Sequence, residues 1–247
     1  MIAEAPVRAR MALVVPSTNV VAESDMWMAA PDGVTFHTGR LRITEPDLSS
    51  NEAFLAFLDQ IRASLGPTVE DVITCEPDLL VMGMSSETFW GGAEGNAAFT
   101  EDLRQKSGLA VATGADACKQ AMDAVGVTRL AILTPYQPVG DEQVIKYFSD
   151  IDTEVVRIKG LRAANCTAPA KVTSEEVSHL FDELNGDDVD AVVQVGTNLS
   201  AIREADAAEK RLGKPVIAIN AAILWTALRM QGIDDQYDGF GPLLREH

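Results

Sequence analysis

Leu79-Leu80-Val81-Met82-Gly83-Met84-Ser85-Ser86 decides the fold, because the chain writes it twice: Ala191-Val192-Val193-Gln194-Val195-Gly196-Thr197-Asn198 has the same form. Each is an apolar run too short for a helix, stopped by glycine and followed by small polar residues. Two further pairs flank it. Val14-Val15-Pro16-Ser17-Thr18-Asn19 is echoed by Ile132-Leu133-Thr134-Pro135-Tyr136-Gln137. Gly108-Leu109-Ala110-Val111-Ala112-Thr113-Gly114 is echoed by Gly213-Lys214-Pro215-Val216-Ile217-Ala218-Ile219-Asn220. The pairs keep their order and lie 105 to 119 residues apart. Two copies of one α/β unit are implied, and the cleft between copies is where a ligand is expected.

Between these strands the periodicity turns helical. Phe54, Leu55, Leu58, Ile61 and Leu65 predict a helix over 52–65, and 68–75 reads as a second one. Strands are predicted over 11–15, 34–43, 79–82 and 109–112, then 129–133, 153–158, 190–195 and 215–219. Further helices are predicted over 19–28, 97–107, 115–125, 141–149, 174–184, 199–211 and 221–231. Strands alternating with helices of this length imply parallel sheets covered on both faces. Right-handed crossovers then bring the turns at Ser17, Ser85, Gly114, Tyr136, Gly196 and Asn220 to the strand C-terminal edges, where open α/β sheets bind ligands.

Composition narrows the partners. The formal net charge of −17 leaves no basic stripe to meet phosphates, so neither nucleic acid nor an anionic membrane is an expected partner. An anionic substrate would need locally placed donors against that average field. Cys75, Cys118 and Cys166 show no metal-ligand or disulfide spacing, so no metal is expected. The start of the chain has no secretory pattern and no apolar run reaches about 18 residues, which predicts a cytoplasmic protein without a membrane span.

The turns carry the chemistry. Pro16-Ser17-Thr18-Asn19 offers hydroxyls, an amide and free N–H groups at a helix start, suited either to a carboxylate or to an ordinary cap. Gly83-Met84-Ser85-Ser86 puts two hydroxyls beside a glycine, as an oxyanion pocket requires, with Trp90 as a wall or as core. Tyr136 stands at a strand end, where its hydroxyl can hold a carboxylate or give a proton. Gly196-Thr197-Asn198 mirrors the serine turn. Dinucleotide, nucleoside-triphosphate and serine-hydrolase motifs are missing. His37, His179 and His247 are scattered and read as structural or surface residues.

At these turns the sequence resembles the aspartate/glutamate racemase superfamily, in the branch of maleate cis-trans isomerase and arylmalonate decarboxylase, with racemase-like ectoine-utilisation proteins as neighbours. The similar stretches are Val15–Asn19, Phe36–Arg42, Met82–Ser86, Asn96–Phe99, Thr134–Tyr136 and Glu209–Val216. The resemblance implies an α/β protein of two Rossmann-like parallel-sheet lobes related by a pseudo-twofold. Residues 1–113 plus 216–247 would form the first lobe and 114–215 the second. It implies no metal or organic cofactor, a small mono- or dicarboxylate in the cleft, and a homo-oligomer, most simply a dimer. Asn19 and Tyr136 would bind carboxylate, and Ser85, Ser86, Thr197 and Asn198 would line the anion pocket. Pro16, Ser17, Gly83 and Gly196 complete the binding turns, and Asn165 falls where isomerases place a substrate-contacting asparagine.

One departure bears on mechanism. Racemases and isomerases of the superfamily use a cysteine from each lobe, and the decarboxylase keeps the second-lobe one. Here those positions align with Gly83 and Gly196. Without thiols, two-base racemization and addition to an enedioate lose their acid, base or nucleophile. Three readings stay open. The first is a lyase or isomerase working through Tyr136 and Ser85. The second is a non-catalytic carboxylate-binding or accessory protein. The third makes Cys166 a relocated nucleophile.

Overall fold

The computed structural model describes residues 7–247. Eight strands form two four-stranded sheets. In the first, β1 (Ala9–Pro16), β2 (Val34–Leu41), β3 (Leu79–Met82) and β4 (Val111–Ala112) stand in the order β2-β1-β3-β4. In the second, β5 (Arg129–Thr134), β6 (Glu154–Gly160), β7 (Ala191–Gln194) and β8 (Val216–Ala218) repeat that order as β6-β5-β7-β8. Every pairing is parallel. The repeat in the sequence is therefore a repeat in topology. In each sheet the first strand is followed outward on one side and the third lies on the other, which creates a switch point at their C-terminal ends. The turns after β1, β3, β5 and β7 all leave from those points.

Helices cover the sheets, so the central strands read as near-continuous apolar runs rather than alternating ones. Leu79 to Met82 and Ala191 to Gln194 are buried at every position. The helices are α1 (Ala22–Ala29), α2 (Asn51–Val72), α3 (Gly92–Ser107), α4 (Gly114–Val125), α5 (Pro138–Asp150), α6 (Ser174–Leu184), α7 (Ile202–Leu212), α8 (Ile219–Met230) and α9 (Pro242–Glu246). One helix corrects the sequence reading. The predicted break between 65 and 68 does not occur, and α2 runs 22 residues through Pro67. An interior proline costs about 3 kcal/mol. The stripe of Phe54, Phe57, Leu58, Ile61, Leu65, Val69 and Val72 is buried without interruption, and at roughly 1.5–3 kcal/mol per buried side chain the turns beyond the proline offset that cost.

A second correction concerns the division of the chain. Val216–Ala218 was expected in the first lobe, but it hydrogen-bonds to β7 and closes the second sheet. The helix that follows, α8, packs on α1 and α4 of the first half. Its residues Ala222, Ile223, Leu224 and Leu228 join one core with Leu13, Val81 and Ala117. We therefore place the return crossing at 218–219, with α4 in the first lobe. No helix among the described residues is long and apolar enough to cross a membrane.

Candidate functional site

Where the C-terminal edges of the two sheets face each other lies a cavity of about 60 Å³. At about 10–15 Å³ for each water-sized group, it has room for roughly four to six such groups. The four turns supply its polar wall: Pro16, Thr18 and Asn19 after β1, Met84, Ser85 and Ser86 after β3, Pro135 and Tyr136 after β5, and Gly196, Thr197 and Asn198 after β7. Leu48, Phe54, Phe57, Cys166 and Pro169 supply the rest. None of these side chains carries a formal charge at neutral pH. Any anion held here is held by neutral donors.

Ser85 and Tyr136 meet across the lobes, with Oγ and Oη 2.6 Å apart. One hydroxyl hydrogen bridges the two oxygens, so the pair keeps one further O–H to offer a ligand. Burial pushes the Tyr136 phenol well above its ordinary range, and the bond from Ser85 offsets only part of that. Tyr136 is thus a neutral donor at physiological pH. The backbone N–H groups of Ser85, Ser86, Thr197 and Asn198 have no hydrogen-bond partner within the chain among the described residues. They add backbone donors to the cleft.

Both polar ends of the Tyr136 peptide are fixed. Its N–H donates to Thr134 Oγ1 at 3.1 Å, and its carbonyl accepts from Arg162 Nη1 at 2.6 Å. Arg162 also donates to Asp141 Oδ2 at 2.6 Å, while Thr134 Oγ1 donates to Asp141 Oδ1 at 2.5 Å. The first lobe repeats the device. Arg40 donates to the Asn19 carbonyl at 3.1 Å and to Glu23 at 2.5 Å. Each turn after a lobe's first strand is braced from behind by an arginine–carboxylate pair. Arg162 adopts a left-handed φ of 56° to reach its position, a backbone cost that persists where surrounding contacts impose it.

On the other side of the cleft the side chains are already committed. Asn19 Nδ2 donates to Thr197 Oγ1 at 3.1 Å and to the Gly83 carbonyl at 3.4 Å. Asn19 Oδ1 accepts from the N–H groups of Val21 and Ala22 at the start of α1. Thr197 Oγ1 donates to the Gly83 carbonyl at 3.0 Å. Asn198 accepts from Val20 N–H and donates to the carbonyls of Cys166 and Thr18. These three residues line the cleft, and their side chains tie the lobes together. What they leave for a ligand is mainly backbone N–H.

A side chain at Gly83 or Gly196 would crowd the residues around it. A Cβ on Gly83 would stand 2.6 Å from Val15 Cγ1 and 2.9 Å from Leu13 Cδ1. On Gly196, whose φ is 115°, it would stand 2.4 Å from Pro135 Cδ. A side chain at either position requires its neighbours to move. Of the chain's three cysteines, Cys75 ends a 3₁₀ turn after α2, Cys118 is buried within α4, and Cys166 alone lines the cleft. Burial pushes the Cys166 thiol up to about 11, so it stands protonated.

Other expected residues lie elsewhere. Ser17 is exposed, and its hydroxyl accepts from Ile43 N–H. Asn165 turns its Oδ1 to Thr167 and Ala168 and shapes the loop that presents Cys166. Trp90 does not wall the cavity; it stacks behind Phe54 at 6.4 Å. His37 pairs with Thr35 on β2, outside the cleft. Gly114 and Asn220 sit behind the wall rather than in it. Sequence reasoning missed Leu48, Phe57, Pro169 and Arg162. Leu48 and Cys166 belong to a strap in which the loops after β2 and β6 pair: Leu48 N–H donates to the Ala164 carbonyl and Cys166 N–H to Pro46. Gln137 Nε2 fastens the strap through the carbonyls of Leu48 and Ala163. Such pairing between irregular loops leaves no periodic signal. Phe57 could have been found, because it falls on the helical stripe of α2.

Comparison with known proteins agrees with this architecture. The sequence model of the arylmalonate decarboxylase family matches residues 13–244. Maleate isomerase of Nocardia farcinica is 25% identical over 247 residues, covering 96% of each chain. Arylmalonate decarboxylase of Bordetella bronchiseptica is 27% identical over 152 residues, covering 60% of this chain and 62% of its own. Among solved structures, a mutant N. farcinica maleate cis-trans isomerase with a covalently bound succinylcysteine intermediate superposes with a TM-score of 0.88 at 24% identity, covering 97% of this chain and 99% of that one. Arylmalonate decarboxylase superposes with a TM-score of 0.77 at 22% identity, covering 95% and 98%.

Proposed function

Because the chain belongs to the arylmalonate decarboxylase family, we propose that it is a cofactor-independent lyase that decarboxylates a small malonate-type dicarboxylate. One observation carries the choice of a decarboxylase over an isomerase or racemase. Among the described residues the titratable side chains lining the cleft are Tyr136 and Cys166, both held protonated. Racemization needs a resident base; decarboxylation needs none.

In this mechanism one carboxylate of the substrate rests on the Ser85–Tyr136 pair and the N–H groups of the two turns. The bond from the α-carbon to the second carboxylate breaks, CO₂ leaves, and the electron pair passes into the anchored carboxylate as an enediolate. Preorganised neutral donors stabilise that charge in a cleft with an apolar wall. The Cys166 thiol, the more acidic of the two cleft groups, then protonates the α-carbon and regains its proton from solvent. The apolar wall of Leu48, Phe54 and Phe57 faces the region vacated by CO₂ or a small α-substituent.

Incubation with malonate and small substituted malonates should release CO₂ and leave the monocarboxylate. Cys166→Ala should lower that rate by about 10²-fold, the lower end of general-acid contributions because water can stand in. An unchanged rate would remove Cys166 from the mechanism. The base-free lining also suits a protein that binds a carboxylate without turning it over. Thermal stabilisation by malonate with no CO₂ release would select that second reading.

A further inference from the structure

Behind the second-lobe turn lies a buried acid that the mechanism above does not use. Asp25, on α1, is 4% exposed, and its one hydrogen bond from the chain comes from Asn220 Nδ2 at 2.7 Å. The other hydrogen of that amide goes to the Thr197 carbonyl at 3.0 Å. Asn220 is itself 1% exposed, and its Oδ1 is buried with no partner among the described residues. A carboxylate accepts only, so an ionised Asp25 leaves Asn220 Oδ1 orphaned, which costs about 1–3 kcal/mol. A carboxylic acid carries the donor that this oxygen lacks.

Among the described residues no cation compensates the Asp25 charge. Of the elements packed against α1, β1 carries Arg10, paired with Asp78, and β2 carries Arg40, paired with Glu23. On α8, Arg229 lies 4.0 Å from Asp234. His37 on β2 pairs with Thr35. The remaining charge acting on Asp25 is Glu204 of α7, which is of like sign.

We infer that Asp25 is a positioning residue that works as the neutral acid: its O–H donates to Asn220 Oδ1, closing an acid–amide ring that aims the Asn220 amide at Thr197. Through Thr197 the ring holds the second-lobe turn against the carbonyl of Gly83, and so sets the N–H groups that face the cleft. Ionisation opens the ring and puts a negative charge behind the anion site. The inference rests on the carboxylate-binding reading of that site. Its direction agrees with the raised pKa of Asp25, about 6, which burial causes and the Asn220 bond only partly offsets.

The sign follows from linkage. A carboxyl whose folded pKa lies above its unfolded value of 3.8 favours the folded state while protonated, and that contribution fades as pH rises through about 6. Asp25→Asn keeps the ring, because an amide can both donate to and accept from Asn220. Asp25→Leu cannot. The test measures malonate affinity and melting temperature for the three proteins between pH 5 and pH 8. Wild type should lose several-fold in affinity across that range, Asp25→Asn should stay level, and Asp25→Leu should bind weakly throughout. The melting temperature of Asp25→Asn should rise relative to wild type between pH 5 and pH 8. Parallel melting curves for wild type and Asp25→Asn would overturn the inference, as would affinities that keep the same pH dependence in both. If no protein binds malonate at any pH while the melting curves still diverge, the carboxylate reading fails and the acid–amide ring stands.

Discussion

Tyr136→Phe is expected to lower malonate decarboxylation by about 10²- to 10³-fold, the cost of removing one preorganised donor from an oxyanion site. The substitution is clean. The ring keeps its edge contact with Phe54, at 5.5 Å between centroids, and the braces from Thr134 and Arg162 hold the backbone rather than the hydroxyl. Only the 2.6 Å bond to Ser85 is lost, worth about 1 kcal/mol of stability. A large fall in rate beside a small fall in melting temperature therefore separates catalysis from folding. Ser85→Ala should cost less, because the Tyr136 O–H then points to the substrate alone. Initial rates of CO₂ release check both variants. A Tyr136→Phe enzyme with the wild-type rate would mean that the charge develops elsewhere in the cleft.

Gly196→Ala is expected to destabilise the fold by about 2–5 kcal/mol. A left-handed conformation costs an L-residue about 1–2 kcal/mol, and overpacking adds about 1–3 kcal/mol. Here the added methyl group would stand 2.4 Å from the Pro135 ring, part of the turn that carries Tyr136. At about 2–4 °C per kcal/mol for a chain of this size, the melting temperature should fall by roughly 4–20 °C. Gly83→Cys should be destabilising through its clash with Val15. Gly66→Ala is the control. Nothing lies within 4 Å of its would-be Cβ in α2, so it should gain roughly 0.5–1 kcal/mol. Melting curves for the three variants decide the matter. Wild-type stability in Gly196→Ala would mean that the glycine is not required by the backbone.

Much of this molecule was legible before its structure. The paired strands ending at Gly83 and Gly196, with Pro16 and Pro135, gave both sheets, because short buried parallel strands are read from local apolar runs. They also located the cleft, since topology sends such turns to one edge. Pro67 misled, because its local penalty is visible in sequence while the buried stripe that carries α2 through it becomes decisive only in the tertiary structure. The repeat puts Val216–Ala218 in the second copy, where it pairs with β7, whereas the lobe bounds implied by the resemblance put it in the first. The roles within the cleft were the least legible. Ser85, Thr197 and Asn198 are similar residue types in equivalent turns, yet only Ser85 keeps a hydroxyl paired for a ligand. Thr197 spends its hydroxyl, and Asn198 its amide, on bonds between the lobes. That division, and the Asp25–Asn220 contact between residues 195 positions apart, exists only in three dimensions.

The measurement that tests the account most directly is a crystal structure of the protein with malonate. One carboxylate should lie within hydrogen-bond reach of Ser85 Oγ or Tyr136 Oη and of the N–H groups of Ser85 and Ser86, with the other toward Phe54 and Leu48. Malonate bound away from the Ser85–Tyr136 pair, or a cleft that stays without it at saturating concentration, would contradict the claim that this pair is the carboxylate anchor.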